Sequence, residues 1–342
     1  MAVTIKDVAA LAGVSPSTVS RVCNDNPSIS KDTRERVKKA MAELGYEMNV
    51  SNDDQASQSV RLVGIVLPPS IREAYENSFY LEAIRGISQV CNQRRVASTL
   101  VTGKDDAEVL QTIQLLERSG QVDGYIMLYS KRGDMVVDYL NEHDCLYVMI
   151  GKANQFTNQT ICIDNDNLLA GREAAEYLYQ LGHRKIAYLG SRDVYLYSAD
   201  RKSGYQLALL QHELPVRPDY CVESEGIEYD DMEQLRTLLR REDRPTAIVV
   251  SDDLLAVALE RVCVQLGLEI PQDVSIVSFN NSLFAQLTSP QLTSVDVNSF
   301  QLGSEAASQI LNHAENPDLM AAKIVVPHHI VERSSCRRLE SE

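Results

Sequence analysis

Residues 4–24 read TIKDVAALAGVSPSTVSRVCN, and the spacing of their apolar side chains sets the class of the amino-terminal end. Ile5, Val8, Ala9 and Ala12 recur at helical intervals, which predicts a short helix with one apolar face. Gly13 breaks that pattern, and Ser15 followed by Pro16 supplies an N-cap and a first-turn proline for a second helix. Val19, Val22 and Cys23 give the second helix its own narrow apolar face. Two short helices joined by a glycine-containing turn make a helix-turn-helix, whose second helix enters the DNA major groove. Its outward side chains, Ser17, Thr18, Ser20 and Arg21, are hydrogen-bonding types.

Ser30 can cap a third helix, with Val37, Ala40, Met41 and Leu44 on one face and Gly45 as its stop. Lys31, Arg34, Lys38 and Lys39 crowd the opposite face, where they can solvate the helix or meet phosphates. The 342-residue chain carries a net charge of −15, which argues against a protein that coats nucleic acid indiscriminately. The first 50 residues nevertheless hold seven basic against six acidic side chains, so only this end suits a phosphate backbone. The seven cysteines are scattered and include no C-x-x-C pair, which suggests neither a disulfide framework nor a zinc site. His328 and His329 are adjacent, and on a strand they point to opposite faces rather than at one metal. No leader and no long apolar run are evident, so a cytosolic, soluble protein without cofactor is expected.

From Arg61 the pattern changes to short apolar strands alternating with amphipathic helices. LVGIVL (62–67), the stretch around 96–101, GYIMLY (124–129), LYVMI (146–150), KIAYLG (185–190), TAIVVS (246–251) and VSIVSF (274–279) read as buried parallel strands. Helical patterns lie near 80–93, 105–118, 168–181, 198–211, 229–240 and 253–266. So many alternating units imply doubly wound sheets, and with both halves so patterned, two lobes with a cleft between them.

The amino-terminal stretch, with a third helix ending in LGY, closely resembles the LacI family of transcriptional regulators. The body adds EAIRGI (82–87), IDNDNLLAGREAAEYLYQLGHRKIAYLG (163–190), R-x-x-G-Y at Arg201–Tyr205, SDDLLAVAL (251–259) and SFNN…LTSVDVN (278–298). The resemblance implies a small all-α helix-turn-helix head (1–48), a hinge (49–60) and an α/β two-lobed body of the type I periplasmic-binding-protein kind (61–336). It implies crossovers near Cys162, Thr293 and Lys323, with lobe 1 at about 61–162 and 294–322 and lobe 2 at about 163–293 and 323–336. The chain stops soon after VVPHHIVERSSC, which implies a homodimer rather than a tetramer. In the head, Ser17, Thr18 and Arg21 are expected to reach base edges. Thr4, Ser15, Ser20, Asn24 and Asn49 complete the expected DNA-contacting set.

One segment departs from the family. LacI-type repressors carry Asn-x-x-Ala-Arg-x-Leu after the third helix, which forms a hinge helix on the operator and wedges leucines into the minor groove. Asn49 matches, but Asn52, Asp53 and Gln55 replace Ala, Arg and Leu, and Asp54 adds a further carboxylate. A weak hinge and little operator bending are therefore expected, and a phased-bending gel assay showing a sharp central bend would contradict this.

Ligands of such folds bind at the carboxyl ends of the strands, in the interlobe cleft. The resemblance places Arg201 at the ligand-contacting arginine, whose planar fork can donate to two sugar oxygens. It also places Asp252 where relatives present a polar ligand-binding side chain, with Asp253 expected to cap the next helix. Asn280 stands where many relatives carry an aspartate, and its amide can donate as well as accept. Asn77, Phe79 and Tyr80 follow the first strand's loop. Tyr195 and Tyr197 stand near Arg201, and aromatic rings can stack on a sugar's apolar face. Lys152 follows LYVMI at the cleft mouth, and Asp164 and Asp166 begin the helix after the first crossover.

The set VDGYIMLYS, VMIGK, IDNDN and SFNN with LTSVDVN is most similar to the maltose-operon repressors of Gram-positive bacteria, which implies a maltose or malto-oligosaccharide effector. One arginine and one lysine are too few cations for a phosphorylated effector. The implied activity is repression of transcription by a dimer on operator DNA, relieved by sugar; an inverted response with sugar as co-repressor stays open. A catabolite-control regulator with a phosphorylated carrier protein as co-repressor is the alternative. No nucleophile elbow, P-loop or metal cluster favours an enzyme.

Overall fold

Each of the two sheets of this chain is wound outward from its first strand, which lies one place in from an edge. The computed structural model describes residues 5–23, 31–44, 61–69, 77–191, 195–224, 227–228 and 232–339. It divides into two units, residues 1–59 and 60–342.

In the first unit, helices α1 (Ile5–Ala12), α2 (Pro16–Cys23) and α3 (Lys31–Leu44) enclose a small core. Val8, Ala9, Ala12, Val19, Val22, Val37 and Ala40 are buried in it, with Met41 and Leu44 packed at its edge. Gly13 takes φ +64°, the left-handed turn that ends α1. The Ser15 hydroxyl accepts from the Thr18 amide at 3.2 Å, so Ser15 caps α2.

In the second unit, the first sheet is built from β1 (Leu62–Val66), β2 (Ala97–Val101), β3 (Val122–Met127), β4 (Tyr147–Ile150) and β5 (Ile161–Asp164). A late strand, Lys323–Val325, completes the order β2-β1-β3-β4-β5 at the far edge, and every pairing is parallel. Helices α4 (Ser78–Gln93), α5 (Asp106–Ser119) and α6 (Met135–Glu142) link these strands. Alternate residues feed opposite faces: Ile126 and Leu128 pack on one side of β3, Tyr125, Met127 and Tyr129 on the other.

The second lobe repeats the winding. Its elements are α7 (Asn167–Gln180), β6 (Ile186–Ser191), α8 (Leu196–Gln211), β7 (Cys221–Ser224), α9 (Glu233–Leu239), β8 (Ala247–Val250) and α10 (Asp253–Leu266). They are followed by β9 (Ser275–Phe279), α11 (Leu283–Leu287) and β10 (Thr293–Asp296); the chain then returns to the first lobe for α12 (Ser299–Glu315) and β11 (Lys323–Val325) and ends in the second with β12 (His329–Val331). The second sheet runs β7-β6-β8-β9-β10-β12, with β12 alone antiparallel. Each lobe therefore has its topological switch beside its first strand, at β1/β3 and β6/β8, where doubly wound folds hold ligands.

The lobe boundaries differ from those expected. All of β5 and β11 belong to the first sheet and β10 to the second, so the chain crosses after Asp164, Asp296 and Val325 rather than near 162, 293 and 323. A parallel strand completes its ladder before the chain leaves the sheet, which moves each crossing a few residues towards the carboxyl end. Asn165 sits on the first crossing and donates its Nδ2 to the carbonyls of Val297 (3.0 Å) and Val326 (2.8 Å) on the other two. Among the described residues no helix is long and apolar enough to cross a membrane.

Each lobe also contains one helix pair in backbone contact. A Cβ at Gly171 of α7 would lie 2.2 Å from the Arg201 carbonyl of α8, and one at Gly204 of α8 2.0 Å from the Leu168 carbonyl. In the first lobe, Cβ atoms at Gly86 of α4 and Gly303 of α12 would lie 2.1 and 2.0 Å from the carbonyls of Phe300 and Ala83.

Candidate functional site

A cavity opens between the lobes at the two switch points. The first lobe contributes Asn77, Phe79 and Tyr80 at the start of α4, Tyr129 and Ser130 after β3, and Lys152 after β4. Asp164, Asn165 and Asn167 come from the first crossing, and the second lobe supplies Tyr197, Arg201 and Asn280. The space a water centre can reach is about 50 Å³, enough for a few waters at about 10–15 Å³ each. The lobes meet in front of it. The Leu196 amide donates to the Ser130 carbonyl at 3.1 Å, Lys131 and Tyr195 form a β-bridge, and Lys152 pairs with Asp200.

Arg201 stands on the second turn of α8 and is 4% exposed. Its Nε donates to Asn167 Oδ1 at 2.8 Å and its Nη1 to the Ser251 carbonyl at 2.6 Å. Its plane lies 4.3 Å from the Phe279 ring centroid and 5.0 Å from that of Tyr197. Among the described residues no carboxylate pairs with it directly, so loss of water pulls its pKa down from the usual range, opposed by the fields of Tyr197, Tyr188, Asp252 and Asp164. A buried cation held by neutral acceptors has donor capacity left for a neutral, oxygen-rich ligand.

Asp164 closes β5 at the cavity wall. Its Oδ1 accepts from the Asn165 amide at 2.8 Å and from Asn167 Nδ2 at 2.9 Å. Burial pushes its pKa up to about 7, against the backbone hydrogen bond from Asn165 and the field of Arg201. Between about pH 4, where the carboxyl ionises in the unfolded chain, and pH 7, the folded chain holds the extra proton, so this group's contribution to stability falls as pH rises. Asp164→Asn is therefore expected to gain in melting temperature relative to the parent between pH 5 and pH 8. A difference that stays flat across that range would contradict the assignment. Burial alone pushes Glu260 up to about 7 as well, so the difference between variant and parent, not the parent's own profile, reads Asp164.

Of the eight residues expected at the effector site, Asn77, Phe79, Tyr80, Lys152, Tyr197, Arg201 and Asn280 line this cavity. Several have second tasks. Asn77 Oδ1 accepts from the Phe79 amide and caps α4, and Lys152 is engaged by Asp200. Asp252 is not among the lining residues: its Oδ1 accepts from the Leu255 amide at 2.9 Å, so it, and not Asp253, caps α10. Asp253 is 1% exposed and takes Ser278 Oγ, Ser294 Oγ and the Ser282 amide, binding the ends of β9 and β10 to α11. The swap follows from N-cap geometry, in which the residue before the first helical turn keeps extended backbone: Asp252 has φ −159° and ψ 164°. Asp166, not Asp164, is the cap of α7. Tyr129, Ser130, Asn165 and Asn167 were not anticipated. Their signal was the same carboxyl-end rule, applied to β3 and β5 as well as to β1 and β6.

In the head, the Thr18 hydroxyl lies 2.9 Å from that of Ser15. Ser17, Ser20 and Arg21 fall on α2, but their side chains lie outside the described residues, as do Thr4, Asn24, Asn49 and the 49–60 hinge.

Comparison with known proteins agrees with this architecture. Residues 4–49 match the model of bacterial regulatory proteins, lacI family, and residues 175–336 that of a periplasmic binding protein-like domain. The HTH-type transcriptional regulator MalR of Streptococcus pneumoniae is 34% identical over 97% of this chain and 100% of its own length. A solved complex of the transcriptional regulator CelR with cellobiose is 28% identical, covering 98% of this chain and 100% of that one, with a TM-score of 0.75. A structure of a probable maltose operon transcriptional repressor from Staphylococcus is 27% identical, covering 83% and 100%, also with a TM-score of 0.75.

Proposed function

Because the chain belongs to the lacI family of bacterial regulatory proteins, we propose that it is a transcriptional repressor whose hold on operator DNA is released by maltose or a malto-oligosaccharide bound between its lobes. The observation that carries this is the interlobe cavity, in which a buried arginine, without a carboxylate partner among the described residues, meets aromatic rings and side-chain amides. That lining suits hydroxyls and an apolar ring face better than it suits phosphate. The reading is further supported by the cellobiose bound to CelR and by the maltose operon assignment of the Staphylococcus relative.

The head acts as one half of a homodimer on a two-fold operator, since half-site symmetry mirrors protein symmetry. Leu283 and Leu287 on α11, 62% and 72% exposed, are apolar side chains that a second copy would cover. Ser17, Thr18 and Arg21 contact base edges, while Thr4, Ser15, Ser20, Asn24 and Asn49 complete the DNA-contacting set. Sugar draws the lobes together, the first lobes reorient across the dimer, and the two heads lose their spacing on DNA. By linkage the operator weakens sugar binding by the same factor.

A thermal-shift screen of maltose, maltotriose, sucrose, ribose and purines tests the effector. A maltose-type sugar is expected to raise the melting temperature in a concentration-dependent manner and to release the operator in a gel shift. Stabilisation by none of the sugars, with retention of a phosphorylated carrier protein instead, would favour the catabolite-control alternative. Arg21→Ala is expected to weaken operator binding by about 1–3 kcal/mol, roughly 5- to 150-fold, if its fork reads a base. Equal loss on operator and random DNA would reduce Arg21 to a phosphate contact.

A further inference from the structure

Arg201 is fixed at both of its ends by one helix. At the backbone, its carbonyl oxygen and Cα lie so close to α7 that a Cβ at Gly171 would meet them at 2.2 and 2.7 Å. At the tip, its Nε donates to Asn167 Oδ1 at 2.8 Å, and Asn167 is the first residue of α7. The guanidinium therefore cannot shift towards a ligand without drawing the start of α7 with it, since a charge-assisted hydrogen bond and a close-packed backbone resist separation together.

Asn167 is bonded on its other side as well. Its Nδ2 donates to Asp164 Oδ1 at 2.9 Å and, at a longer 3.5 Å, to the Asn165 carbonyl. Asp164 is the last residue of β5 and belongs to the first sheet, whereas α7 packs in the second lobe. One carboxamide, 4% exposed, thus spans the first crossing, with the cavity arginine on its oxygen and the first lobe on its nitrogen. Asn165, next in line, holds the other two crossings through Val297 and Val326. The contacts run without a gap from the cavity to all three crossings, through Arg201, Asn167, Asp164 and Asn165.

We propose that Asn167 is a positioning residue that couples the effector to the crossings, by aligning Arg201 and passing its displacement across to Asp164. The proposal rests on a sugar occupying the cavity. A residue that only walls the cavity sets affinity for the sugar; a coupling residue also sets the factor by which bound sugar weakens the operator.

Operator binding by the full-length protein, with and without saturating maltose, tests it. In the parent, saturating maltose is expected to weaken operator binding about 5- to 150-fold, the usual span of such couplings. Asn167→Ala, which leaves the Asp166 cap of α7 in place, is expected to bind maltose about tenfold more weakly and to keep the operator within about threefold of its sugar-free affinity even at saturation. A full parental response once the variant is saturated, however much sugar that takes, overturns the coupling role.

Asn167→Asp adds a pH signature. The new carboxylate still accepts from Arg201 but cannot donate to Asp164, so the link across the crossing depends on a proton that Asp164 itself supplies. Burial pushes Asp164 up to about 7; the Asn165 amide and the charges of Arg201 and Lys152 oppose this, and Asp200 adds to it. The variant's response to maltose, relative to the parent's, is expected to be close to normal at pH 6 and to fall at pH 8, where two carboxylates repel each other. An equal ratio at both pH values overturns the coupling role. A parent protein whose operator binding no sugar alters overturns the sugar reading and this proposal with it.

Discussion

Gly171→Ala is expected to lower the melting temperature of the protein by roughly 6–10 °C, equivalent to about 3 kcal/mol, and to weaken effector binding with it. Helix propensity alone predicts the opposite sign, since alanine inside a helix is favoured over glycine by about 1 kcal/mol. Packing decides the matter. The new methyl would lie 2.2 Å from the Arg201 carbonyl oxygen and 2.7 Å from its Cα, both backbone atoms that no rotamer change can move aside. The two helices must separate, and the residue pushed first is the one whose guanidinium faces the cavity. Differential scanning calorimetry and titration of the same preparation check both effects. A melting temperature within about 2 °C of the parent would show that α7 and α8 yield more cheaply than this geometry implies.

Arg201→Met is expected to abolish effector binding, by about 100-fold or more, while changing the stability of the empty protein far less. Two opposing terms meet in the empty protein. Removing the guanidinium deprives Asn167 Oδ1 and the Ser251 carbonyl of donors, a cost of about 1–3 kcal/mol for each group left unmet. It also removes a buried cation that no carboxylate compensates, which relieves a desolvation penalty of similar order. With effector present no such offset exists, because the ligand loses its charged donor outright. Arg201→Lys should not rescue binding, since a single ammonium cannot reach Asn167, Ser251 and a ligand at once. Binding of either variant within threefold of the parent would remove Arg201 from the site.

Much of this organisation was legible in the sequence because it rests on strong periodicity. The β1, β3, β6, β8 and β9 strands are buried on both faces over most of their length and therefore read as predominantly apolar runs. Buried β5, only four residues long, escaped through shortness, and other elements that escaped lack that signature. β11 and β12 are short edge strands whose residues are exposed or only partly covered, so nothing apolar repeats in them. The seventeen-residue α12 buries Leu302, Ile310 and Leu311 but meets α4 at Gly303, beside Ala306 and Ala307, where small residues matter for close approach rather than hydrophobic bulk. The carboxyl-end rule found most of the cavity wall. It could not tell which of Asp252 and Asp253 would be consumed as a cap, a choice set by one residue's backbone dihedrals. Nor could it foresee the hydrogen bonds that Asn165 makes, since its partners lie 132 and 161 residues away in the chain.

That last residue constrains how the molecule can move. A body whose halves are joined by three separate strands could in principle flex at each one independently and pass through a continuum of postures. One carboxamide that grips the carbonyls of the other two strands ties their rotations into a single axis. Motion of the two lobes is then a swing about that axis rather than independent flexing at each crossing.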